Sequence, residues 1–118
     1  LWRLHYNMTK HKEDLVLHIY IGNDDIQEWT QGIGKHTLMP AMFECCKTIV
    51  NEELEKLQFA RVECSIRSKK RAFDFFVELA GISDTIDRLM EWALEEEKYE
   101  MCSEIKKLEE QISKMEEF

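Results

Sequence analysis

Between residues 15 and 66 the chain passes from a β-branched stretch through a glycine-rich turn into a helical stripe, then back to a strand. That order constrains the fold most, because a helix crossing between two strands points to a βαβ unit and a partly parallel sheet. Residues 15–21, LVLHIYI, read as a strand. Leu15, Leu17, Ile19 and Ile21 share one face, and Val16, His18 and Tyr20 share the other. Both faces are largely apolar, so this strand is expected to be central, with cover on each side. Residues 22–34, GNDDIQEWTQGIG, hold three of the four glycines and read as a long loop. Leu38, Met42, Cys45, Cys46, Ile49, Val50 and Leu54 then recur at helical spacing, which predicts a helix over 37–54. Pro40 belongs in its first turn or just before it. Residues 59–66, FARVECSI, alternate and predict the next strand.

The flanks extend this unit. Trp2, Leu4, Tyr6 and Met8 alternate with Arg3, His5 and Asn7, predicting a strand over 1–8, followed by a polar turn, TKHKED, over 9–14. Ser68 suits an N-cap for a helix over 69–80, with Ala72, Phe73, Phe76, Val77 and Ala80 as its buried stripe and Gly81 as its stop. Residues 83–118 carry two patterns. Met101, Leu108 and Met115 recur every seven residues, as do Ile105 and Ile112, which favours a long helix or short coiled coil. Tyr99, Met101 and Ile105 also alternate at period two, and with Trp92 across LEEE (94–97) they fit a β-hairpin over about 86–105 followed by a helix from about 104. The expected class is therefore α/β (α+β), with a mixed, partly parallel sheet and a C-terminal helix. A domain over 1–105 and an amphipathic helix over 106–118 divide the chain.

Composition narrows the function classes. The chain of 118 residues carries a formal net charge of −8, which opposes general nucleic-acid binding and a basic membrane-surface helix. No apolar run approaches the ~20 residues of a membrane span, and no nucleic-acid or membrane partner is expected. Three Trp, three Tyr and six Phe spread along the chain argue for a folded domain. Cys45, Cys46, Cys64 and Cys102 lack C-x-x-C spacing and sit in apolar patterns, so they read as buried thiols in a reducing compartment, the cytoplasm.

The segment QGIGK (31–35) is the main candidate for chemistry. Glycines let a backbone approach a ligand closely, and amides at a helix start favour an anion. Gln31, Gly32, Ile33, Gly34 and Lys35 thus form a generic phosphate cradle; they lack the Walker pattern and the third glycine of the dinucleotide fingerprint. A plain structural turn is the competing reading. His18 and Tyr20 share a strand face, with His5 able to sit opposite; they read as base and acid, or as polar-tipped members of a half-buried sheet. A zinc site from His5, His11 and His18 lacks a completing ligand. Arg67, Lys69, Lys70 and Arg71 are either phosphate contacts or a solvated helix start. Glu95, Glu96 and Glu97 read as a solvated turn or helix face.

Taken together, LHIYI, QGIGK opening a helix, FARVECSIRS and KRAFDFFVELAGI resemble the acyl-CoA N-acyltransferase (GNAT) superfamily over about residues 15–82. Gly32-Ile33-Gly34 match its pyrophosphate loop; Arg71 and Ala72 match the start of its second helix; Phe76, Glu78, Gly81 and Ile82 match that helix's end. The resemblance implies the element order β-β-α-β-α-(β-β), with DRLMEWALEEEKYEMCSEI closing the fold as a hairpin. It also implies acetyl-CoA, or another acyl-CoA, as cofactor and acyl transfer to an amine acceptor that the sequence does not identify. Ile19, Tyr20 and Ile21 would pair with the pantetheine arm, residues 31–35 would hold the pyrophosphate with Lys70 near the adenosine phosphates, and His18 and Tyr20 would serve as base and acid. The start at Leu1, without Met, is read as the loss of the family's first strand and helices.

The motifs are eroded. Val77 stands where the family's acidic Tyr is usual, Lys70 where an Asn contacts coenzyme A, and Trp29 where an Arg or Gln opens the loop; Pro40 lies where the phosphate-facing helix should be running. A noncatalytic structural or interaction protein is therefore the alternative expectation. Small viral proteins with this fold and eroded motifs look similar, which adds a virus particle as a location. The apolar stripe Ile105, Leu108, Ile112 and Met115 is expected either to pack back on the domain or to make an oligomer or assembly contact.

Overall fold

The computed structural model describes residues 16–116. The strand and turn expected over 1–14 lie outside them. The fold is α+β, with helices packed on a three-stranded mixed sheet in the order β1-β2-β3. Strand β1 (Leu17–Tyr20) is parallel to β2 (Lys56–Ile66), with Leu17 opposite Ala60 and Tyr20 opposite Glu63. Between them lie α1 (Ile26–Gln31) and α2 (Lys35–Glu52). The parallel crossover expected from the sequence is thus present. Strand β3 (Lys69–Glu78) returns antiparallel to β2, and a 3-10 turn (Leu79–Gly81) leads into α3 (Ile82–Glu95) and α4 (Tyr99–Glu116).

Three expectations are corrected. The helix predicted over 69–80 is strand β3. Phe73, Phe75 and Val77 alternate and pair with Val62, Ala60 and Leu57, so the apolar residues that fit a helical stripe fit a sheet face as well. Ser68 is not an N-cap. It and Arg67 form a two-residue turn with φ of 65° and 50°, the doubly left-handed geometry that matches strand twist in a hairpin. The hairpin option over 86–105 is replaced by two helices that meet at Glu96–Lys98, where Glu97 takes a left-handed φ of 56° and the Lys98 amide donates to Ala93 O at 2.8 Å. Finally, the cover expected on both faces of β1 is missing at His18 and Tyr20, while the strand expected over 1–8 lies outside the described residues. Among the described residues β1 pairs with β2 alone, and His18 and Tyr20 are exposed.

The core lies between the sheet and the helices. Phe59, Ala60 and Val77 from the hairpin meet Phe43, Cys46, Ile49 and Val50 of α2, with Ile86, Leu89 and Trp92 of α3. A register irregularity between Gln58 and Ala60 lets Phe59 and Ala60, adjacent in sequence, both be buried. Helix α4 packs through Cys102, Ile105, Leu108 and Ile112, all buried, so its stripe folds back onto the domain. Beyond the core, residues 66–72 at the distal end of the hairpin are exposed.

Arg67 and Ser68 each take a conformation that costs a side-chain-bearing residue about 1 kcal/mol and suits Asn-Gly. The double variant Arg67→Asn/Ser68→Gly is expected to raise unfolding stability by roughly 1 kcal/mol in urea denaturation.

Candidate functional site

The Gly-x-Gly turn joins α1 to α2. Asp25 caps α1: its Oδ1 accepts from the Gln27 and Glu28 amides at 2.9 and 3.1 Å. This short helix replaces most of the expected loop, and Asp25 with Glu28 three residues later was its available signal. At its end the Gly32 and Gly34 amides both donate to Trp29 O, at 3.3 and 2.8 Å. The Lys35 amide donates to Gly32 O at 3.1 Å and the His36 amide to Ile33 O at 3.3 Å. Thr37 and Leu38 amides close on Gly34 O. Amides that would cradle an anion are therefore engaged within the chain. Gly34 is buried, and a Cβ there would lie 2.5 Å from Trp29 O and 2.6 Å from its indole Cε3. Its φ of −65° suits any residue, so close packing against Trp29 is what requires glycine. The side chains of Gln31 and Ile33 are exposed and Lys35 is half-exposed. Helix α2 runs through Pro40, the sixth residue of the helix, past the first turn where proline is tolerated.

His18 and Tyr20 project from the same face of β1, as alternation requires. Tyr20 Oη pairs with Ser65 Oγ at 3.1 Å. Ile19 is opposite Val62, and the Ile21 amide donates to Glu63 O at 2.9 Å. The Ser65 amide then donates to Gly22 O at 2.7 Å, so β2 stays joined to the chain beyond the end of β1. On the same sheet face Arg61 Nη1 donates to Asp74 Oδ1 at 3.0 Å and Gln58 Nε2 donates to it at 2.9 Å, while Arg61 Nε lies 3.5 Å from Glu63. These exposed polar groups are mutually paired.

Lys70 sits on β3 opposite Ser65, so the basic run forms a hairpin tip instead of a helix start. A cavity beside that tip, at the carboxyl ends of the parallel strands, is bordered by Asp24, Asp25, Ser65 and Arg67, and neither residues 31–35 nor Lys70 line it. Two carboxylates against one guanidinium disfavour an anion there. The structure thus brings His18 and Tyr20 to one face and keeps residues 31–35 contiguous, while Lys70 lies on a separate element.

The sequence reading missed a second region. A groove of about 860 Å³ runs between β1, α2 and the start of α4. Leu17, Pro40, Ala41 and Met101 give it an apolar floor, and Glu44, Glu97, Glu100 and Glu104 line it as well. The Glu95–Glu97 run was its only trace in the sequence.

All four cysteines are free and buried. Burial pushes the Cys46 thiol up to about 12, with the neighbouring Cys45 adding to it, and burial pushes Cys45 up to about 11 against a smaller opposing backbone hydrogen bond from Val77. Such thiols are poor nucleophiles. A folded pKa above the unfolded value keeps the proton on the native state, so this contribution is full below about pH 9 and is lost as pH rises towards the folded values. Stability is expected to fall above about pH 9, by up to ~1.4 kcal/mol per pH unit per thiol, as read by urea melts between pH 8 and about pH 10.5. The variant Cys45→Ala/Cys46→Ala should flatten that slope.

Among the described residues no cluster of three His, Cys, Asp or Glu side chains could hold a metal, and His5 and His11 lie outside them. No described helix is long and apolar enough to cross a membrane. No family model matches the chain, and no curated protein or solved structure matches it significantly.

Proposed function

We propose that the chain is a noncatalytic α+β interaction module. The observation that carries this reading is the engagement of the Gly32, Gly34, Lys35 and His36 amides in bonds to Trp29, Gly32 and Ile33 carbonyls. A cofactor pyrophosphate would have to displace those bonds, losing the turn that seats α1 on α2. Two further features agree with it: the β1–β2 ladder continues through Gly22, and charge is divided between a basic hairpin tip and an acidic groove. The buried free thiols fit a reducing compartment, the cytoplasm, or a virus particle for an assembly component.

One observation favours a second reading, acyl transfer from acetyl-CoA or another acyl-CoA to an amine. A glycine turn opens a helix within a parallel crossover, where nucleotide-bearing cofactors commonly bind. In that reading Ile19–Ile21 and residues 31–35 hold the cofactor with Lys70, the amine attacks the thioester carbonyl, His18 takes its proton and Tyr20 protonates the leaving thiolate.

Thermal denaturation with acetyl-CoA separates the two. The module reading expects an unchanged Tm up to about 1 mM ligand. A cofactor present at 100 times its Kd would add about 2.7 kcal/mol, a rise of several degrees, and that rise would overturn the module reading.

A further inference from the structure

We infer that the basic hairpin tip of one copy docks into the acidic groove of a second copy of this chain. The inference rests on the interaction-module reading and names its partner. The tip carries Arg67, Lys69, Lys70 and Arg71 within five residues. Ile66 pairs with Lys69 and Cys64 with Arg71, so Ile66, Lys69 and Arg71 share one face. Ile66 is 46% exposed, which gives that face an apolar centre flanked by two cations.

The groove is the chemical complement. Its floor is apolar, and Glu97, Glu100 and Glu104 recur at spacings of three and four, which puts them on one side of the α3–α4 junction and first turns of α4. Glu100 and Glu104, four apart on α4, repel each other, and an incoming cation relieves that repulsion. Glu44 is already paired with Lys47 at 2.7 Å, and Lys98, which also lines the groove, turns towards the Trp92 ring but keeps its charge; Glu97, Glu100 and Glu104 outnumber it and are the docking charges.

A chain's own hairpin tip does not reach its own groove. Leu17, on the groove, is opposite Ala60, and Arg67 lies seven residues further along the β2 ladder, about 23 Å away at ~3.3 Å per residue. The β2–β3 ladder is paired from Ala60 to the turn, so the tip points away. The contact must therefore form between copies, closing as a dimer if two tips are exchanged and extending further if they are not. Nucleic acid is the weaker partner for the same tip, because the chain's net charge is −8 and Asp24 and Asp25 border the cavity beside Arg67.

The test is a charge exchange followed by sedimentation equilibrium of the full chain. Wild type at about 100 μM and low salt is expected to be dimeric or larger, with association weakened at least tenfold near 1 M salt. Lys69→Glu/Arg71→Glu alone and Glu100→Lys/Glu104→Lys alone should each be monomeric, since each sets like charges at 69 and 71 against like charges at 100 and 104 across the proposed contact. Mixed in equal amounts, the two variants should associate again. All four positions are exposed, and circular dichroism should show both variants folded like wild type. A monomeric wild type, association unchanged by the reversals, or failure of the mixture to associate would each overturn the inference. A monomeric wild type that binds duplex oligonucleotide through the tip would also overturn it, in favour of nucleic acid. The acetyl-CoA titration reads the module reading separately, so a failure of either is seen on its own.

Discussion

Ile105→Ala is expected to lower unfolding stability by about 2–5 kcal/mol and Tm by on the order of 10–20 °C. Ile105 is fully buried at the centre of the α4 stripe, among the core residues shared with α2 and α3. Truncation removes buried methyl groups and leaves a cavity that two packed helices close only partly. The comparison is Glu104→Ala on the preceding, exposed position, which should shift stability by no more than ~0.5 kcal/mol. The pair decides what the C-terminal helix is for. A stripe kept for an external partner would tolerate alanine in the isolated chain, and a Tm within one or two degrees of wild type would show that α4 does not belong to the core. A large fall shows that α4 folds with the domain, which leaves charge, not the apolar stripe, as the helix's outward-facing feature.

The parts of the fold that periodicity specifies without competition were legible. The segment LVLHIYI produced β1, the Leu38–Leu54 stripe produced α2, and FARVECSI produced most of β2. The misreadings share a physical cause: one apolar spacing that satisfies two geometries. In KKRAFDFFVE, positions 72, 73, 76 and 77 fit a helical face, while 73, 75 and 77 fit a strand face. The tertiary pairing with an 11-residue β2 settles the choice. The usual hairpin marker, Asn-Gly or Asp-Gly, is absent, because Arg67 and Ser68 hold the left-handed positions instead. The α3–α4 junction escaped for the same reason. Glu97 occupies a left-handed position where glycine is the common signal, so nothing in the sequence marked the break. Apart from Glu97 in the Glu95–Glu97 run, the acidic groove was not legible, because its residues come from separate elements whose juxtaposition only the fold creates.

Gly34→Ala is expected to cost about 2–3 kcal/mol in the absence of any ligand, at the upper end of the usual penalty for overpacking. The reason is local. Alanine suits the backbone at φ −65°, so no conformational strain is added, yet its Cβ would meet Trp29 O at 2.5 Å and the indole carbons Cε3 and Cδ2 at 2.6 and 2.7 Å. The carbonyl is held by the Gly34 amide, at 2.8 Å, so it cannot retreat without breaking the bond that seats α1 on α2. Adding Trp29→Ala to Gly34→Ala should recover only the part due to the ring, because the carbonyl remains. The result bears directly on the Gly-x-Gly segment. If these glycines existed to admit a phosphate, Gly34→Ala would melt like wild type and lose only the ligand-dependent shift. If they exist to let one helix end lie against the next, the loss appears in the apo chain, and a glycine motif that looks like a cofactor loop is a packing device.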